Sequence, residues 1–131
     1  MKKIMLFVFL SCVTFSAINA QVPSLSKSLP KSFDVKGLTG SIMNVLGPSL
    51  SLTGKQSPGV TDAVSGFLGE KSKILPLQAS DPTSYNSKFG SLFSGLKSKL
   101  GGILAADQMT KFMGLKPKTN DASNVLSNLF Y

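Results

Sequence analysis

The chain has 131 residues, a formal net charge of +8, no His, no Trp and no Arg, and its single cysteine is Cys12. Without His, and with one Cys, the usual zinc and copper ligands are missing, and neither a Ser-His-Asp nor a Cys-His constellation can be assembled. The acids Asp34, Asp62, Glu70, Asp81, Asp107 and Asp121 stand singly, so no carboxylate pair is offered for acid–base work. The composition reads as that of a non-enzyme with no cofactor and no metal.

Residues 1–20 read as an export signal. Lys2 and Lys3 form a positive start, residues 4–18 are an apolar run, and Asn19-Ala20 puts a small residue just before Gln21. The run falls short of the roughly 20 apolar residues that a spanning helix needs. Cleavage would leave residues 21–131, in which twelve lysines face six acids for a net +6. Cys12 leaves with the signal, so the exported chain has no disulfide. A competing reading acylates Cys12 as in a lipoprotein, although Phe9 stands where such signals carry Leu. The expected location is the periplasm or the medium, with attachment to the outer membrane left open.

Residues 21–32 (QVPSLSKSLPKS) mix Ser, Pro and Lys with isolated Val and Leu, and read as a mobile lead. Asp34 is a good N-cap, and Val35, Leu38, Ile42, Val45 and Leu46 recur at helical spacing. They predict a helix over 35–47 that Pro48 ends, followed by a loop over 49–56. Ser57-Pro58 is a cap followed by proline at the first helical position. Val60, Ala63, Val64, Phe67, Leu68, Ile74 and Leu75 then form one apolar stripe, interrupted by Lys71, and predict a helix over 58–75.

Asp81-Pro82 repeats that start signal. Tyr85, Phe89, Leu92, Phe93, Leu96, Leu100, Ile103 and Leu104 follow with the most regular helical pattern in the chain, and Gly101-Gly102 should break or bend it. A fourth helix is expected over 103–113, with Met109, Phe112 and Met113 facing inward and Gly114 as its stop. Thioethers at Met109 and Met113 could hold Cu(I), but two methionines on an apolar stripe read as core filler. Asp121 would cap a last short helix bearing Val125, Leu126, Leu129 and Phe130. No alternating strand pattern and no internal repeat emerges. The fold expected is all-α: one domain over 33–131, a small bundle of four to five short helices. Phe67, Phe89, Phe93 and Phe112 would form its core, and a chain of this size hides about 65% of its unfolded surface.

Two faces of the segment 82–104 are candidates for function. Phe89, Phe93, Leu96 and Leu100, flanked by Lys97 and Lys99, would suit an interfacial membrane helix, or a partner, as well as a bundle core. Ser87, Ser91, Ser94, Gly95 and Ser98 form a small-residue face that would let another helix approach closely, in a homo-oligomer or against an envelope protein. The lysines are dispersed and no Arg accompanies them, so nucleic acid is not an expected partner. They read first as a solvated basic surface; attraction to an anionic membrane surface is the alternative, with each nearby lysine contributing about 1 kcal/mol.

The run Leu104-Ala105-Ala106-Asp107-Gln108, followed by Lys111-Phe112, resembles the L-T-x-x-Q signature of small helical periplasmic proteins of the Spy/CpxP type. Leu104 and Gln108 match it, and Ala105 stands where that signature has threonine. The resemblance implies a helical periplasmic chaperone or stress sensor and assigns no active residue. The layout as a whole is similar to small secreted helical proteins of Bacteroidetes-type bacteria with no assigned function. The leading expectation is an exported, non-catalytic binding or structural module; a membrane-associating protein and a chaperone are the alternatives.

Overall fold

A computed structural model describes residues 33–131; the signal and lead expected over 1–32 lie outside the described residues. The chain forms α1 (Val35–Leu50), α2 (Gln56–Ile74), a single turn α3 (Leu77–Ser80), α4 (Pro82–Gly101), α5 (Ala106–Gly114) and a second single turn α6 (Ser127–Phe130). No strand occurs among the described residues. The all-α bundle expected from periodicity is the fold, with α2 at its centre: α1, α4 and α6 pack against it, and α5 closes the bundle against α1 and α4.

Each long helix contributes one row of apolar residues at i, i+4 spacing. Ile42, Leu46 and Leu50 come from α1, Val60, Val64 and Leu68 from α2, and Leu96 and Leu100 from α4, all at most 2% exposed. Rows spaced this way lie on one helix face, which is why three such helices can share one core. An aromatic spine runs through it. Tyr85, Phe89 and Phe93 stack along α4, with centroids 6.0 and 6.1 Å apart. Phe67 meets Phe89 edge-on at 5.9 Å, and Phe130 joins Phe93 at 5.5 Å to Phe112 at 5.3 Å. Pairs of this geometry each contribute about 0.5–1.5 kcal/mol beyond area burial.

The expected caps at Asp34 and Asp81 are in place: their carboxylates accept from Gly37 N at 3.0 Å and Ser84 N at 3.1 Å. Asp34 folds over Gly37, where a Cβ would lie 2.3 Å from its Oδ2, so a larger residue there would make the cap carboxylate shift.

Several expected boundaries move, each for a local reason. Pro48 does not end α1, which runs on to Leu50. The residue before a proline avoids helix because its Cβ meets the ring, and here that residue is Gly47, which has none. The helix stops at Ser51, held in the left-handed region at φ 50°. Leu52 N reaches Gly47 O at 3.0 Å and Ser51 N reaches Pro48 O at 3.2 Å, the paired bonds of a Schellman motif.

Helix α2 begins before Ser57-Pro58. Thr53 Oγ1 accepts from Gln56 N at 3.2 Å, and Gln56 Oε1 accepts from Thr53 N at 3.1 Å. That reciprocal box, T-x-x-Q, satisfies two orphan donors and sets the start. The fourth long helix begins at Ala106 rather than 103, because Ala105 is extended (ψ 162°) after the Gly101-Gly102 turn. Gly114 is its last residue rather than a stop beyond it. Met113, expected inward, is 39% exposed, and so is Val45 at 37%, because each falls at the edge of its helix's buried arc. Asp121 caps a turn, accepting from Ser123 N at 2.8 Å, and the helix expected after it shrinks to α6.

Candidate functional site

On α4 the two candidate faces separate cleanly. Leu96 and Leu100 are buried, Phe89 and Phe93 are half-buried against the core, Lys97 lies half-buried with Nζ 5.4 Å over the Phe93 ring, and Lys99 is exposed. Ser87, Ser91, Ser94, Gly95 and Ser98 are all exposed. A Cβ built on Gly90 or Gly95 would meet nothing within 4 Å, so no other described element covers this side. With Lys88 it forms a smooth, weakly basic strip, since no acid occurs between Asp81 and Asp107. The first set supports the fold, and the second is left to solvent.

Two grooves flank α2. One, of about 460 Å³, lies between α1 and α2, with Val35, Thr39 and Met43 on one wall and Thr61 and Ser65 on the other. Its threonine hydroxyls bond their own helices, Thr39 to Val35 O at 2.6 Å and Thr61 to Ser57 O at 2.8 Å. Lys36 and Asp62 line it as exposed charges. The second, of about 340 Å³, is where Ile103 crosses α2. Ile103 Cδ1 would lie 3.1 Å from a Cβ on Gly59, so a larger residue there would push the Ile103 side chain by a few tenths of an ångström. Among the described residues no three His, Cys, Asp or Glu side chains gather as a metal site.

Two buried polar constellations were not apparent from the sequence. The first is a pair of glutamines. Gln56 Nε2 donates to Gln108 Oε1 at 2.8 Å and Gln108 Nε2 donates back to Gln56 Oε1 at 3.1 Å. Their remaining capacity holds the chain around them. Gln56 Nε2 bonds Ile103 O at 3.0 Å, Gln108 Nε2 bonds Leu50 O at 3.0 Å, and Gln108 Oε1 accepts from Ala105 N at 2.9 Å. With Thr53 N on Gln56 Oε1, every donor and acceptor of both amides is used, which is the condition for a buried polar network to stabilise. Leu104 and Gln108, the two residues that carried the L-T-x-x-Q resemblance, are thus both buried and serve the α4–α5 connection. Ala105, where that signature has threonine, lacks the hydroxyl that would complete a capping box with Gln108.

The second is Lys71, which the sequence presents as a break in the α2 stripe. Its side chain is 4% exposed and points into the core. Nζ donates to Asn128 O at 2.8 Å and to Tyr131 O, and lies 5.2 Å over the Phe89 ring. Burial lowers its pKa to about 8, because the charged form loses hydration on entering the core. The signal was present: Lys71 is four residues after Phe67 and three after Leu68, in phase with the buried face. Nearby, the Tyr85 hydroxyl is buried with no hydrogen-bond partner among the described residues, and burial raises its pKa.

No family model, no curated protein and no solved structure matches this chain.

Proposed function

We propose that this chain is an exported, non-catalytic helical module that works by contact, and that the outer strip of α4 is its contact surface. The observation that carries this reading is the exposure of Ser87, Ser91, Ser94, Gly95 and Ser98 together on a helix whose opposite side is engaged in the core. Small side chains let a partner helix come close enough for backbone-level packing, and Lys88 and Lys99 favour a partner carrying negative charge. A solvated helix face of this length ordinarily carries more charge of both signs. The non-catalytic reading rests on the sequence, which has no His, no Arg, and no cysteine beyond Cys12.

The test is sedimentation velocity of wild type and Gly95→Leu, alone and after cross-linking in an envelope extract. Concentration-dependent mass or a discrete cross-linked species in wild type, lost in Gly95→Leu, supports the strip as an interface. Identical behaviour of the two proteins removes it. The membrane-associating reading is separated by circular dichroism with and without anionic vesicles. It requires Phe89 and Phe93 to leave the core, so vesicles must abolish the cooperative melt and leave helix. An unmoved melt speaks for contact through the outer strip.

A further inference from the structure

We infer that the Lys118–Thr119 peptide bond is a processing site for a lysine-directed endoprotease, and that residues 119–131 keep their place after the cut. A protease cleft takes its substrate as an extended strand, so a bond inside a helix is reached only once that helix opens. Among the described residues every lysine except Lys55, Lys116 and Lys118 lies within a helix. The Lys55–Gln56 bond is locked into the start of α2, since Gln56 N donates to Thr53 O at 3.0 Å and to Thr53 Oγ1 at 3.2 Å. Lys116 precedes Pro117, whose ring stands where a cleavable bond carries its N–H. Lys118 is the lysine that remains.

The backbone around it is free. Lys116 N still reaches Met113 O at 3.4 Å. Order resumes at Asp121, whose N donates to Ser127 Oγ at 3.0 Å and whose O accepts from Asn124 N at 3.0 Å. Between these points the backbone N–H groups of Lys118, Thr119 and Asn120 have no partner among the described residues, and all of 118–124 is exposed. Exposed stretches of small and polar residues are where nicking concentrates. The Lys118 ammonium is free as well, because the only ion pair among the described residues joins Lys73 to Glu70. The enzyme class this fits is a serine endoprotease of the trypsin type, whose acidic pocket takes the lysine side chain.

The cut is a hydrolysis. Water adds across the amide, the Lys118 carbonyl becomes a carboxylate, and Thr119 gains a free amine. Neither new group meets the core, since both residues are exposed. What holds the downstream piece is untouched. Leu126, Leu129 and Phe130 remain buried, with Phe130 against Phe93 and Phe112, and Lys71 Nζ donates to Asn128 O at 2.8 Å. Two further contacts bridge the cut itself. Tyr131 Oη donates to Pro117 O at 2.7 Å, and Lys116 Nζ lies 5.3 Å over the Tyr131 ring. The product is two chains seated as one domain.

Limited digestion of the full chain with trypsin, followed by intact-mass spectrometry, tests the site; only cuts within 33–131 are compared. The bond after Lys118 should be lost at least about tenfold faster than any other in that range. A cut of similar or greater speed elsewhere in the range overturns the site. Lys118→Gln should slow the loss of the uncut domain at least about tenfold, and an unchanged rate overturns it as well. In that variant a protease of broad specificity should still make its first cut of the range within 118–124. A first cut elsewhere shows that this stretch is not the open one, and overturns the site by a route that needs no lysine. Finally, the trypsin-cut protein should elute from a sizing column as one species in buffer and as two in urea. Two species in buffer overturn the seating of 119–131.

Discussion

Replacing Gln108 by Met removes a buried amide while keeping an unbranched side chain of similar length. Four hydrogen bonds go with it: those to Leu50 O and from Ala105 N, and the two shared with Gln56. At about 1 kcal/mol net for each bond, with a discount because three of the four are only part-buried, the loss is about 3 kcal/mol. Gln56→Met also forfeits four bonds, but its site is half-buried and its orphaned partners rehydrate more easily, so about 2 kcal/mol is expected. The two changes should not add. The amide–amide bonds are lost in either single mutant, so the double mutant should cost about 1–2 kcal/mol less than the sum. Urea unfolding followed by far-UV circular dichroism measures all four proteins. For a domain of this size Gln108→Met should lower Tm by about 12–24 °C. If Gln108→Met costs less than about 1 kcal/mol, or the two losses add within about 0.5 kcal/mol, the closed glutamine pair is refuted as the tie between α1, α2 and the α4–α5 turn.

Ser51→Gly should stabilise by about 1 kcal/mol in the same assay, because Ser51 pays the left-handed penalty at φ 50° that glycine avoids; no gain would mean that the Schellman turn relaxes without strain. Ala105→Thr should add about 0.5–1 kcal/mol by supplying the missing cap hydroxyl at an exposed, extended position, and an unchanged or lower melting temperature counts against it. Tyr85→Phe should be neutral or stabilise by about 1 kcal/mol, since the hydroxyl it removes is buried without a partner; a loss above about 1 kcal/mol would show that the hydroxyl is satisfied.

What the sequence made legible was whatever depends on neighbours in the chain. The i, i+4 rows of α1, α2 and α4, the Asp34 and Asp81 caps and the Gly101-Gly102 break are local events, and periodicity or capping chemistry reaches them directly. The errors at helix starts were local as well, and avoidable: Thr53-Gly54-Lys55-Gln56 is a capping box, but Ser57-Pro58 a few residues on is a more familiar start signal and drew the boundary towards itself. Pro48 is no stop here because the residue before it, Gly47, has no Cβ to meet the ring. The polar constellations are different in kind. Gln56 and Gln108 are 52 positions apart, and Lys71 and Asn128 are 57 apart. Nothing in either local sequence announces the other.

The division of labour on α4 follows from the same limit. Its inner face had two readings because a core-facing helix and an interfacial one share a pattern, and the choice belongs to the surroundings. Here α2 supplies Phe67 edge-on to Phe89, and α6 supplies Phe130 edge-on to Phe93. The aromatic ladder is therefore completed from both sides within the bundle. No such completion exists for the outer face. Ser87, Ser91, Ser94, Gly95 and Ser98 are all exposed, and a Cβ on Gly95 would meet nothing within 4 Å. Substituting larger polar residues such as Gln there should leave unfolding within about 0.5 kcal/mol of wild type. That makes the strip the one part of α4 where a change in binding can be measured without a change in fold. A Ser91→Gln, Gly95→Gln double variant that keeps its melting curve and loses association would isolate contact from stability, and retained association would move the search to the groove between α1 and α2.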